Sequence, residues 1–295
     1  MKNSNFAPEF IMSVCFRANL LFIFQSIFIF SQMTPNSELK EPDIHEVADL
    51  LTDVASTLMT SGAHTSRISQ NVSRMAETYG YQVDLSVFQL SIMMTITSLE
   101  NQHERLTLIK KTAPLLLNYN IVSELSALSW DTYDGKITFE DAKELYHEIT
   151  TKKRISRWSV LLLVSLANAA FCGLFHGDLY AISLVFFSTM SGFLIRQEMI
   201  KRHVNHLVVF TTSAFVASLV AGMAYVYNIG TTPDIALASS VLYLIPGVPL
   251  INSILDIIQG HILTGMARLV NAISLIVCIS IGLFSSMLIL GLEKL

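Results

Sequence analysis

The sequence predicts a membrane protein in which an N-terminal cytoplasmic α/β domain (α-α-β-β-β-α-α) precedes a five-helix transmembrane bundle with a Pro/Gly-broken fourth helix. Three observations lead there. The 295 residues are 52% hydrophobic and only 14% charged, with a mean hydropathy of +0.52; soluble domains carry about 25% charged residues. The charge is also unevenly spread: residues 1–157 hold 14 Lys/Arg and 18 Asp/Glu, residues 158–295 only 5 of each. From Ser159 onward, apolar runs reach the ~20 residues needed to cross ~30 Å of hydrocarbon. The chain therefore divides into an apolar N-terminal extension over 1–42, a cytoplasmic domain over 43–157 and a five-span domain over 158–295.

The extension conflicts with the rest. Leu20 to Phe30 is a short apolar run after Arg17, shaped like the apolar core of a signal peptide. Its insertion would turn the next domain outward and put Lys152–Arg157 on the wrong side. Met33 opens a polar stretch directly before the first amphipathic helix. Residues 1–32 are thus expected to be a start assigned too far upstream or a loosely held extension.

The soluble half is read from periodicity. Ile44, Val47, Ala48, Leu51, Val54, Ala55, Leu58 and Met59 form the i, i+3, i+4, i+7 stripe of an amphipathic helix. Gly62 suits its C-terminal cap, and Thr65 or Ser66 can cap a second helix that buries Ile68, Val72, Met75, Ala76 and Tyr79 and ends at Gly80. The period then becomes two: Val83, Leu85, Val87, then Leu90, Ile92, Met94 and Ile96, with Arg105–Lys110 as a third strand. This predicts a small antiparallel sheet with one buried face. Helices around Asn120–Trp130 and from Thr138 to about Thr150 close the domain, the last with a Thr138/Asp141 capping signal.

Five spans follow: Ser159–Phe175, Leu179–Ile195, His206–Tyr227, Ile235 to about Ile258 interrupted at Pro246-Gly247-Val248-Pro249, and Ile262–Leu292. Lys152, Lys153, Arg154 and Arg157 precede the first, and Arg196, Lys201 and Arg202 follow the second, whereas the opposite side has only Lys294. The positive-inside rule then puts the soluble domain in the cytoplasm and the C-terminus outside. Ala214, Ser218 and Gly222 make a small-residue ridge on the third span, and Gly173 with Gly177 a shorter one; both suit close helix contacts.

Several chemistries lack an anchor. A net charge of −4 gives no electrostatic case for nucleic acid. Cys15, Cys172 and Cys278 lie far apart in apolar runs, which speaks against a disulfide framework or zinc site. His45-Glu46-Val47-Ala48-Asp49 and His147-Glu148 lack the second histidine of a zinc helix, and no G-x-S-x-G elbow or Walker lysine occurs. No cofactor or metal is expected, and no enzyme activity.

Ionisable and helix-breaking residues in the spans carry more information. A charge at bilayer depth is costly and usually faces a cavity or a partner. Asp256 lies about two turns after the proline pair, with Asn252 one turn before it on the same face and Arg268 twelve residues beyond. Asp256 and Arg268 can pair in an empty site. Alternatively, Arg268 binds a substrate carboxylate while Asp256 takes an ammonium group or proton; a third reading puts both at the interface, reaching to water. Pro246, Gly247 and Pro249 disrupt helical hydrogen bonding, and broken helices of this kind form sites in secondary transporters, a packing kink being the plainer reading. Ser239, Ser240 and Tyr243 add hydroxyls along the same segment; Asn168 in the first span and Asp178 at its outer end are further polar candidates.

The stretch Leu58-Met59-Thr60-Ser61-Gly62-Ala63-His64-Thr65-Ser66-Arg67, with Arg74 and Gly80, resembles the opening of the threonine/serine exporter family. Pro246-Gly247-Val248-Pro249-Leu250-Ile251-Asn252, followed by Asp256, Gly260, Gly265 and Arg268, resembles its second signature. The resemblance extends over residues ~43–292. It implies a cytoplasmic α/β domain and five spans, here as the larger subunit of a split exporter in the bacterial inner membrane. It further implies a smaller five-span membrane subunit as partner, an oligomeric assembly, and threonine, serine or a dicarboxylate such as succinate as cargo. A membrane-anchored sensor or scaffold, with a cytoplasmic ligand- or partner-binding domain, is the alternative. An anchor needs neither the Pro-Gly-Pro break nor an intramembrane Asp and Arg. N-terminal sequencing of the native protein is expected to find the terminus well beyond residue 2; a membrane-inserted chain that begins at residue 2 contradicts the reading of residues 1–32.

Overall fold

The structure is a computed structural model and describes residues 42–152 and 155–292. The extension proposed for residues 1–42, including Leu20–Phe30, lies outside the described residues except for Pro42. The soluble half begins with two helices, α1 (Ile44–Thr60) and α2 (Thr65–Thr78), and continues with strands β1 (Tyr81–Val87), β2 (Ser91–Ser98) and β3 (Arg105–Lys111). Helices α3 (Tyr119–Tyr133) and α4 (Phe139–Thr151) complete it. The element order is the one read from the periodicities.

Every apolar position of the α1 stripe is buried, from Ile44 to Met59. It packs on the sheet, a β1-β2-β3 antiparallel meander. The register pairs Leu85 with Met94 and Met94 with Leu108, so most apolar strand residues share the face against α1, while Met93 and the exposed Ile109 pair on the other. Val47, Leu51, Val54, Leu58, Ile68, Met75, Ile92, Met94 and Ile96 make one continuous core. An ion pair of Lys110 with Asp53 ties β3 to α1 at the surface, and Thr57 meets the Tyr146 hydroxyl at 2.9 Å to hold α4. Thr138 and Asp141 do form a reciprocal capping box at the start of α4, because the Asp carboxylate reaches the Thr138 amide at 3.0 Å.

One terminus differs from expectation. The residue that caps α2 is His64, whose Nδ1 accepts from the Arg67 amide at 3.4 Å, rather than Thr65 or Ser66. Thr65 is already helical, and its amide is engaged elsewhere.

The membrane half consists of α5 (Arg157–Leu174), α6 (Leu179–Lys201), α7 (His206–Val226), α8 (Pro233–Ser239), a 3-10 turn (Leu242–Leu244), α9 (Gly247–Ile258) and α10 (Ile262–Ile289). Among the described residues, four helices are long and apolar enough to cross a membrane, giving five spans if the bent α8–α9 pair counts as one. Large apolar residues such as Leu162, Leu166, Phe187, Ile273, Val277 and Phe284 point outward along these helices. Exposure of that kind suits lipid rather than water.

Small residues allow the helices to approach. A Cβ on Gly282 of α10 would run into the Thr211 carbonyl and the Ala214 side chain of α7. Ser286 donates to Ser218 at 2.6 Å, and Ser188 of α6 donates to the Ala217 carbonyl at 2.7 Å. The ridge Ala214-Ser218-Gly222 is thus the seam between α7 and α10. Gly173 packs against Ile182 of α6. Gly282→Val is expected to cost about 1–3 kcal/mol by overpacking this seam, read as a lower unfolding temperature in detergent and less folded protein in the membrane.

Candidate functional site

The site is built where the α1–α2 loop meets the α9–α10 hairpin. α1 ends at Thr60, and the chain reverses through Gly62 at φ +100°. A Cβ there would press on Leu117 as well as straining the backbone. The strap after β3 closes over this loop: the Leu116 amide donates to the Thr60 carbonyl at 2.8 Å and the Asn118 amide to Ser61 at 3.0 Å. What remains facing the membrane half is the Gly62 carbonyl and the first amides of α2.

α9 and α10 supply the complement. They join through Gly260 at φ +88°. Gly265 lets the two helices touch, since a Cβ there would meet the Ser253 carbonyl at 2.8 Å. One turn beyond Gly265 on α10, Arg268 Nη1 donates to Asp256 Oδ2 at 2.7 Å. Asp256 Oδ1 accepts from the Thr65 amide at 2.8 Å. Asn252, one turn earlier on α9, donates from Nδ2 to the Gly62 carbonyl at 2.8 Å. Thr264 of α10 adds a bond to the Val87 carbonyl at the end of β1.

The electrostatics are local and strong. Asp256 is fully buried, and the Arg268 side chain is only 11% exposed. A carboxylate in that position lies at the positive N-terminus of α2, where an unpaired helical amide would otherwise be left without a partner. His64 stands close enough to feel both Asp256 and Arg268; burial lowers its pKa from the usual 6.5, while the Asp256 charge opposes that shift. His64 and Thr65 belong to the first signature quoted above, but nothing in a linear reading ties them to Asp256.

Beside the pair lies a small cleft of about 60 Å³, lined by Gly62, Ala63, Pro249, Asn252, Arg268 and Asn271 among others. At about 10–15 Å³ per water it has room for a few waters or one carboxylate group. Arg268 lines this cleft while its Nη1 holds Asp256. The three site residues Asn252, Asp256 and Arg268 therefore come together, and Pro249 joins them through the cleft wall.

The helix break falls at Ile245–Pro246, where the Pro246–Pro249 motif begins. The first half of the span, α8 with the 3-10 turn, ends at Leu244 and α9 begins at Gly247, with an axis change of 59° between the two halves. The α-helix itself already ends at Ser239, ahead of the 3-10 turn. Pro246 is the residue before α9, and Gly247 and Pro249 form its first turn. Proline is tolerated there because the first amides of a helix have no internal partner. The carbonyl released at the end of α8 is met by Asn168, which donates from Nδ2 to Ser239 at 3.0 Å and to Thr189 Oγ1 at 2.6 Å. Asn168 is buried and holds the broken span to α5 and α6.

Asp178 is not part of this assembly. It caps α6 through the Ala181 amide at 2.7 Å and accepts from the Thr231 amide at 2.6 Å, pinning the loop before α8. The Thr231 and Ala181 amides hold its pKa below the ordinary carboxylate value. Among the described residues no three His, Cys, Asp or Glu side chains gather to hold a metal ion.

The family described as "Putative threonine/serine exporter" matches residues 49–290, a span that contains both signatures and the whole junction. The chain belongs to the threonine/serine exporter family. It is 30% identical over 238 residues to a protein of Escherichia coli K12 named "Probable succinate transporter subunit YjjP", covering 80% of this chain and 91% of that one. A protein of the same name from Klebsiella aerogenes is 30% identical over 249 residues, 84% of this chain and 95% of the relative. A "Probable threonine/serine exporter" of Mycobacterium tuberculosis is 24% identical over 258 residues; these are 83% of this chain but 47% of that protein. No solved structure matches. Family and apolar helices together make this a multi-pass membrane protein of a transporter family.

Asn168→Leu removes the donor that satisfies the Ser239 carbonyl. It is expected to destabilise the bundle by about 1–3 kcal/mol, seen as a lower unfolding temperature in detergent.

Proposed function

We propose that this chain is the larger subunit of a secondary exporter that moves threonine, serine or a related small carboxylate such as succinate out of the cell. Its partner is a smaller five-span membrane subunit of the same family. The name "transporter subunit" carried by two relatives supports a multi-subunit assembly. The soluble half faces the cytoplasm of a bacterial inner membrane and the C-terminus faces out. This rests on the basic residues Lys152, Arg157, Lys201 and Arg202, which sit at the ends of α4, α5 and α6 nearest that half.

The observation that carries the reading is the division of one buried carboxylate between the two halves: Asp256 holds Arg268 with one oxygen and the Thr65 amide with the other. Protonation of Asp256 removes the charge that holds Arg268, freeing the guanidinium to take a substrate carboxylate bidentately in the adjoining cleft. The same protonation weakens the hold on the α1–α2 loop, so access through Gly62 and Asn252 opens as the pair parts. Coupling of ion and cargo follows, since the proton and the carboxylate act on the same two side chains. The soluble half acts as the gate of this step rather than as an anchor.

The test is efflux from cells that lack their own exporters and are loaded through peptides. Threonine, serine and succinate are followed outside cells that make this chain alone, this chain with the smaller subunit, or Asp256→Asn with that subunit. Efflux is expected only with the partner and is expected to fall at least roughly tenfold in Asp256→Asn, which leaves Arg268 buried beside a neutral amide. Membrane insertion should be unchanged. Normal efflux from Asp256→Asn removes Asp256 from the mechanism; no efflux of any of the three with both subunits in the membrane favours the sensor or scaffold.

A further inference from the structure

Among the described residues, a second arginine in the bundle has no such carboxylate. Arg196 sits in α6, and its Nε is buried without a hydrogen-bond partner among the described residues. The one carboxylate on that helix, Glu198, pairs with Arg202 at 3.3 Å instead. The Arg196 guanidinium lies 5.6 Å from the ring of Phe193 and 5.0 Å from that of Phe210, both buried. Ring faces attract a cation, but they offer no oxygen to a planar fork of donors.

The surroundings are polar at one edge. Ser213 of α7 is fully buried, and its hydroxyl likewise has no partner among the described residues. Tyr243, on the 3-10 turn of the helix break, stacks edge-on to Phe193 at 6.0 Å. Its hydroxyl donates to the Ser213 carbonyl at 3.5 Å. Gly192, one turn before Arg196, is where the Tyr243 hydroxyl lodges: a Cβ there would collide with it and with Ala217. One cation, two hydroxyls and two aromatic walls therefore converge from α6, α7 and the 3-10 turn.

A guanidinium whose buried Nε has no partner among the described residues, and an idle buried hydroxyl on the next helix, each cost free energy that a common ligand would relieve. We propose that Arg196, Ser213 and Tyr243 form a binding site for the carboxylate of a small solute, with Phe193 and Phe210 against its apolar carbons. The proposal rests on the exporter reading, in which the cargo carries a carboxylate. It assigns the recognition of that group within the bundle to Arg196, in addition to Arg268 at the junction. An acidic lipid headgroup offers the same oxyanion chemistry, and the test below separates the two.

The test uses the full-length chain with its smaller subunit, reconstituted in bilayer discs of phosphatidylcholine alone or with phosphatidylglycerol. Radiolabelled succinate and threonine are the probes, measured on the wild type, Arg196→Gln, Arg196→Lys and Ser213→Ala. Arg196→Gln is expected to weaken binding of at least one probe roughly tenfold or more. Arg196→Lys should retain part of it, since it keeps the charge and loses the fork, and Ser213→Ala should weaken it by a smaller factor. Wild-type affinity in Arg196→Gln overturns the proposal, leaving the exporter reading intact if Asp256→Asn still abolishes efflux. Phosphatidylglycerol that co-purifies with the wild type but not with Arg196→Gln, at unchanged probe binding, overturns it in favour of a lipid site. Loss of the smaller subunit from Arg196→Gln at unchanged binding overturns it in favour of a subunit contact. If the wild type neither binds nor exports succinate, threonine or serine, the exporter reading falls and this one with it.

Discussion

Asp256 has no contact with solvent, and the arrangement around it follows from the need to give its charge partners. One partner comes from the next helix of the membrane half and the other from the backbone of the soluble half. Each alternative is costly: without Arg268 the carboxylate is buried and unpaired, and without Thr65 a helical amide is. Gly265 permits the first contact by bringing α9 and α10 together, and Gly62 permits the second by turning the α1–α2 loop tightly enough to present its polar backbone. Two glycines from distant parts of the chain thus serve one ion pair.

The junction also clarifies the roles of the prolines. The proline-rich motif opens at the bend and starts the helix beyond it, which aims α9 so that Asn252 and Asp256 lie one turn apart facing the soluble half. The bend lies at Ile245–Pro246, where the motif begins, and Asn168 meets the Ser239 carbonyl where α8 ends. The region Ser240–Pro246 is left with its Tyr243 side chain turned towards α6 and α7, away from the junction. The two arginines therefore belong to different neighbourhoods of the same bent span.

Much of this was legible from periodicity. The buried stripe of α1, the alternation of β1 to β3, the Thr138/Asp141 box and the helical spans are local properties, and local rules locate them within a few residues. The shared face of Asn252 and Asp256 follows from helical spacing alone. What local rules could not supply was the partner of that face, because Thr65 and Asp256 are 191 residues apart in the chain. The same gap explains the misplaced cap of α2: Thr65 looks like a capping hydroxyl until its amide is seen to be committed to Asp256, which leaves His64 to cap. The break expected at Pro246–Pro249 does begin at Pro246, but Gly247 and Pro249 already belong to the first turn of α9, since proline's tolerance there depends on where the helix begins. Arg196 was counted only as an orientation charge, since its lack of a counter-ion among the described residues is a property of three dimensions.

The separation of Thr65 from Asp256 has a temporal side. At about 5–20 residues per second, a ribosome needs roughly 10–40 s to synthesise the chain between the two. During that interval the soluble half can form its core, yet the first turn of α2 waits with an exposed amide and the Gly62 carbonyl beside it unmet. Only when the last hairpin has entered the bilayer does the acidic side chain arrive to close the joint. A nascent chain whose final helices insert wrongly would leave that loop open on the outside of an otherwise finished domain, a visible mark for the machinery that removes defective membrane proteins.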